Sequence, residues 1–114
     1  MKKQAINHEG ESKRLLKDID DHGDVSEQYH LGILFEKDKM FQAAFKYYQK
    51  AAIQGHMVAQ FNVAVMYHKG MAVDKDHKKA MYWYQNSADQ GDHAARFILN
   101  VLKLNHLSSL SKRR

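Results

Sequence analysis

The chain has no cysteine and no proline among its 114 residues, and only six glycines and one tryptophan. Without cysteine there are no disulfides, no thiol nucleophile and no iron-sulfur ligation, and the zero count fits a reducing compartment. Without proline the commonest helix breaker is missing, so glycine and side-chain caps must punctuate the chain. No apolar run approaches the ~20 residues that span a bilayer as a helix. The opening residues 1–16 start basic, but Asn7, His8, Glu9, Glu11, Ser12 and Lys13 leave no apolar stretch for a secretory signal. These absences lead us to expect a soluble, cytoplasmic protein.

What is present is a spaced pattern. Gly23, Gly55 and Gly91 lie 32 and 36 residues apart, and each follows a histidine or glutamine: His22, Gln54 and Gln90. Eleven residues before the later glycines stand Ala44 and Ala80, eight and seven before them Tyr47-Tyr48 and Trp83-Tyr84, four and three before them Ala51-Ala52 and Ser87-Ala88. The same offsets before Gly23 give Ser12, Leu15-Leu16 and Ile19-Asp20, a second helix of a preceding, truncated unit with its apolar face kept. After each glycine, offsets of six, eight, nine and twelve give Tyr29, Leu31, Gly32 and Phe35, then Phe61, Val63, Ala64 and Tyr67. The third copy, Phe97, Leu99, Asn100 and Lys103, fades. A period of 32 to 36 residues is one helix-turn-helix unit of a solenoid, in which each unit buries its apolar face only against a neighbour.

The chemistry of individual residues supports that architecture. A 44% hydrophobic share in 114 residues suits one domain with an elongated, shallow core. Asp24 with Glu27 makes a capping box and Asp76 a cap. Apolar residues recur at helical spacing in Leu31, Leu34, Phe35, in Met57, Phe61, Ala64, Val65, and in Ala80, Trp83, Tyr84, Ala88. The spacing predicts helices over about 11–22, 25–37, 41–54, 57–69, 76–90 and 94–107. A flexible tail over 1–10 and a basic tail over 108–114 would flank a repeat domain over 11–107, with units at about 24–55 and 56–91 and partial units at 11–23 and 92–107. Small residues (Gly32, Ala44, Ala64, Ala80, Ala88) let backbones approach, and Trp83, Tyr47 and Tyr67 fill the gaps between them.

These residues resemble the Sel-one-like repeat family, a relative of the tetratricopeptide repeat, over about residues 23–102. In the best unit, residues 59–91, the family pattern falls on Tyr67, Gly70, Val73, Asp76, Ala80, Trp83, Tyr84, Ala88, Gln90 and Gly91, and Leu31-Gly32 supply its leucine-glycine pair one unit earlier. Val63-Ala64 replaces that pair in the best unit, and the first unit lacks four loop residues, which makes its turn tighter. The resemblance implies a short right-handed α-solenoid that works by binding protein, with no cofactor. Many members resemble secreted or periplasmic bacterial proteins with cleaved signals, so a mature fragment of such a protein stands as an alternative.

Charge and histidine content exclude more than they suggest. Lys2, Lys3, Lys112, Arg113 and Arg114 account for the whole net charge of +5, leaving residues 4–111 neutral. A nucleic-acid groove needs its basic excess on the folded surface, so the distribution argues against nucleic-acid binding. Of the eight histidines, His22, His56 and His93 sit at repeat-set turns, and no HxxxH or HExxH spacing puts two ligands on one helix face. His68 and Glu36 on neighbouring helices read as solvated polar residues. No glycine-rich elbow, phosphate loop or paired buried carboxylate is present, so no enzyme activity, metal or small-molecule substrate is expected.

Surface recognition remains. The first helix of each unit lines the concave face of such a solenoid, which makes Tyr29, Ile33, Glu36 and Lys37, then Phe61, Val65, His68 and Lys69, then Phe97 and Val101 the candidate partner-binding residues. The aromatic at plus six, Tyr29, Phe61 and Phe97, reads either as interhelix packing or as a ladder that docks a partner segment. Trp83 and Tyr84 are expected buried, and Met71, Ala72 and Val73 would widen the site as an exposed edge. Three roles fit: an adaptor or scaffold in a larger bacterial assembly, a small inhibitor or immunity-type protein that blocks an enzyme, and, least, nucleic-acid binding through the tails. The C-terminal Val101, Leu102, Leu104, Leu107 and Leu110 either fold back as a cap or offer an edge for a homodimer.

Overall fold

A computed structural model of the chain describes residues 24–111, with side chains to residue 108. Five helices follow one another: α1 Val25–Lys37, α2 Phe41–Ile53, α3 Met57–Lys69, α4 His77–Asp89 and α5 His93–Ser111. The described residues contain no strand, and each helix packs on the next in chain order, which makes an all-α, right-handed solenoid. The helix expected over 11–22 and both termini lie outside the described residues. The last helix runs four residues past the expected end at 107, into what the sequence suggested was tail.

Each unit is started by a side chain and ended by a left-handed residue. Asp24 accepts from the Glu27 backbone N–H at 2.9 Å while Glu27 accepts from that of Asp24 at 3.0 Å, closing the capping box before α1. Asp76 accepts from the Lys79 N–H at 3.0 Å at the head of α4, and His56 Nδ1 accepts from the Ala59 N–H at 3.1 Å at the head of α3. At Gly55 (φ 99°) and Gly91 (φ 103°) the space around the α-carbon is open, so backbone geometry and not crowding requires glycine there. The N–H three residues past the helix end then reaches back to the carbonyl five residues earlier: His56 to Ala51 at 3.1 Å, Asp92 to Ser87 at 3.2 Å. The first unit makes the same turn without glycine. Lys39 takes the left-handed position (φ 62°) and Met40 N–H bonds Phe35 O at 2.9 Å, because a three-residue connection replaces the seven residues between α3 and α4.

Small side chains at the contacts admit large ones from the neighbouring helix. Leu31, Ala44, Ala51, Ala59, Val63, Ala64 and Ala80 are fully buried, and Tyr47, Tyr48 and Tyr84 are almost so. A Cβ at Gly32 would stand 2.6 Å from the Tyr48 ring, so only glycine allows α1 and α2 to meet at this separation. Trp83 departs from expectation. It is half-buried, with Tyr82 edge-on at 5.0 Å, and packs at the margin of the core.

The glutamine before Gly55 and that before Gly91 tie each turn to the first helix of its own unit. Gln90 Nε2 donates to Gln60 Oε1 and to Gly55 O, both at 2.8 Å, and the buried Gln60 donates to Ala52 O at 3.1 Å. Gln54 repeats the link one unit earlier, donating to Gln28 Oε1 at 2.7 Å at the surface. Gln90→Ala leaves the Gln60 and Gly55 oxygens without this donor and should cost about 1–2 kcal/mol, with a smaller loss for the exposed Gln54→Ala. Urea unfolding of the two variants beside the parent chain measures both.

Candidate docking groove

The offsets from the repeat glycines put Tyr29, Ile33 and Glu36 on the same face of α1 that Phe61, Val65 and His68 occupy on α3 and Phe97 and Val101 on α5. Position plus thirteen is chemically coupled to the second helix of its unit. The Tyr48 hydroxyl donates to the Glu36 carboxylate, and one unit later the Tyr84 hydroxyl lies 3.3 Å from His68 Nδ1. Glu36 and His68 are therefore each engaged by a tyrosine of their own unit rather than by one another. Burial, together with the Glu36 carboxylate, pushes the Tyr48 phenol far up, and burial alone pushes Tyr84 up to about 12. His68 is shifted down, first by burial and then by His77, Lys75 and Lys69. At neutral pH the His68–Tyr84 contact thus joins two uncharged groups.

The plus-six aromatics divide. Tyr29 stacks on His56 with centroids 4.4 Å apart, and Phe61 meets Tyr84 edge-on at 5.7 Å, so both pack. Phe97 is 69% exposed. The difference follows from chain order: no second helix of the third unit stands among the described residues to meet it.

Between α3 and α5, over α4, lies a groove of about 490 Å³. Val65, His68 and Lys69 form one wall, Phe97, Ile98, Val101, Leu102 and Asn105 the other, and Tyr84 its floor. Five of the ten residues singled out from the sequence meet here: Val65, His68, Lys69, Phe97 and Val101. Tyr29, Ile33, Glu36, Lys37 and Phe61 lie outside it. Sequence reasoning missed Tyr84, which is buried but turns its hydroxyl to the groove, and the Ile98, Leu102 and Asn105 wall, whose only signal was helical spacing from Phe97 and Val101. Met71, Ala72 and Val73 do not widen the groove; they pack half-buried against the core, and Ala72 borders a separate hollow beside Lys39 and Met40. The α5 helix does not fold back as a cap within the described residues, and Leu104 and Leu107 stay exposed. Among the described residues no three His, Asp or Glu side chains gather as metal ligands, and no helix is long and apolar enough to cross a membrane.

Successive helix pairs and repeat-set turns define a helical repeat protein of the α-solenoid class. The Sel1 repeat pattern matches residues 28–56 and 58–92, and the chain belongs to the Sel1 repeat family. Proteins of this family are generally protein-interaction or scaffold modules. The chain is 36% identical over 90 residues to DAP3-binding cell death enhancer 1 of Rattus norvegicus and 34% identical to that of Mus musculus. Each match covers 77% of this chain but 18% of the relative, so the chain spans less than a fifth of their length. Among solved structures it is similar to a Sel1 repeat protein from Oxalobacter formigenes (TM-score 0.71, 31% identity, 73% of this chain and 36% of that one). It is also similar to a protective antigen of uropathogenic Escherichia coli with an SLR fold (TM-score 0.68, 30% identity, 82% of this chain and 20% of that one).

Two histidines make the fold sensitive to acid. His56 is shifted down by burial and by His30, and His68 by burial and its cationic neighbours, so the unfolded chain takes up these protons at higher pH than the folded one. Their neutral forms therefore leave stability intact above about pH 6.5, and stability should fall as pH drops below it. Unfolding free energies at pH 7.5, 6.5 and 5.5 should show that slope, and the double variant His56→Asn, His68→Asn, which keeps a capping side chain, should flatten it.

Proposed function

We propose that the chain is a non-enzymatic interaction module, an adaptor that docks a segment of a partner protein in the groove between α3 and α5. The observation that carries this reading is the exposed apolar wall of α5, Phe97 and Val101, facing Val65 across a cleft of pocket size. Apolar walls with a few polar groups at the rim are how helical repeats hold peptide segments and helices. Lys69 is the groove's single lysine or arginine, which is too little to track a phosphate backbone. The mammalian relatives' own name describes binding to another protein, which supports a protein partner as the class without giving its identity.

The test is affinity capture from nuclease-treated native lysate, with the parent chain beside Phe97→Asp and Val101→Asp. Both positions are exposed, so the variants should keep the parent's circular dichroism and melting temperature. A protein enriched by the parent and reduced at least tenfold by either variant supports the groove, because a charge placed in an apolar contact costs on the order of 1.4 kcal/mol or more. Capture that survives both variants would place the binding surface elsewhere.

A further inference from the structure

The groove is apolar within and basic at one end, and that asymmetry says what kind of segment it takes. No aspartate or glutamate lines it. A second hollow of about 320 Å³ continues it past Leu102 and Asn105, with Met81 beneath and His77 and His106 at its sides, and it has no acidic lining either. His68 and His77 stand with ring centroids 5.6 Å apart. Lys69 and Lys75 lie within electrostatic reach of His68, and with His77 they shift its imidazole in the same direction. Carboxylates are not scarce nearby in sequence, since Asp74 and Asp76 flank Lys75; they do not line either hollow.

Three occupants suit an unpartnered helix face at the end of a solenoid, and the residues separate them. A further helix of the array would pack at plus nine, where Gly32 receives the Tyr48 ring; the third copy offers exposed Asn100 there, with exposed Lys103 at plus twelve. At plus nine and plus twelve that face is polar, with Leu107 its exposed apolar residue, whereas Phe97, Val101 and Leu104 form a continuous apolar stripe on the side shared with Val65. A second copy paired by two-fold symmetry would have only a strip one helix wide to bury, against the ~800 Å² per partner of a stable interface, and would bring no acidic groove residue to the basic end. A foreign segment with apolar side chains and a carboxylate meets neither obstacle.

We propose that the occupant is an acid-flanked hydrophobic segment of a partner protein, its apolar side chains on Val65, Phe97, Val101 and Leu102 and its carboxylate at the end held by Lys69, Lys75 and the two histidines. This deepens the docking reading above and rests on it. The apolar contacts supply affinity, and the basic end fixes which way the segment runs, since a reversed segment would leave its carboxylate over the apolar wall. A carboxylate arriving beside His68 gives the exposed Lys69 and Lys75 a charge of opposite sign.

A random dodecapeptide display library, selected on the immobilised full chain and again on Val101→Asp and Lys69→Glu, reads the two levels separately. We expect peptides enriched on the parent to carry two or three of Leu, Ile, Phe and Met followed or preceded on one side by Asp or Glu. All should be lost on Val101→Asp, and the acidic preference alone should vanish on Lys69→Glu. A synthetic copy of the leading peptide should bind about fivefold more weakly when its acidic residues become Gln or Asn, as removal of a partly screened charge pair implies. Apolar peptides without an acidic bias, or a bias that survives Lys69→Glu, would overturn the charge assignment and leave the docking groove standing. No enrichment over Val101→Asp would remove both.

Discussion

The tyrosine seven residues before Gly55 and before Gly91 is the contact on which the first-helix face of each unit depends. Tyr48 and Tyr84 rise from the second helix of their units, are buried almost completely, and still carry a hydroxyl to residue plus thirteen of the first helix. A buried phenol needs that partner, since an unsatisfied hydroxyl in an apolar site costs more than the bond itself is worth. Gly32 exists to make room for the Tyr48 ring, and Phe61 leans edge-on against Tyr84. Helix separation, side-chain choice on the first helix and the floor of the groove all follow from one aromatic position.

The groove arises where this scheme stops. In the first two units a second helix and a next unit cover what the first helix presents, whereas among the described residues α5 packs chiefly on α4. Asn100 and Lys103 stand where the earlier units place Gly32 and Phe35, or Ala64 and Tyr67, while Phe97, Val101 and Leu104 form an exposed apolar stripe.

Much of the fold was legible in the sequence because repetition converts one physical solution into a recurring pattern. The turns at Gly55 and Gly91, the capping box at Asp24 and Glu27, the cap at Asp76 and the bounds of α1 and α3 could be read directly. Lys39 was not legible as a left-handed residue, because nothing in a lysine announces positive φ; the shortened loop imposes it. The glutamine link was half visible: Gln54 and Gln90 stood out beside their glycines, but Gln28 and Gln60, both five residues past a glycine, gain meaning only when the turn closes over them. The candidate site divided in the same way. Val65, His68, Lys69, Phe97 and Val101 meet because offsets from a glycine are also directions in space, while the α1 candidates face the same side but lie beyond the groove. Tyr84 was set aside because a core residue and a groove floor carry the same sequence signature, and only the direction of the hydroxyl tells them apart.

The most direct test of the central claim is site-specific photo-crosslinking in cells, with a benzoylphenylalanine in place of Val101 in the groove and, separately, of Tyr82, which is exposed on α4 and outside the groove. The account predicts one protein adduct of defined mass at position 101 upon irradiation and none at 82. Adducts at 82 and not at 101 would contradict it.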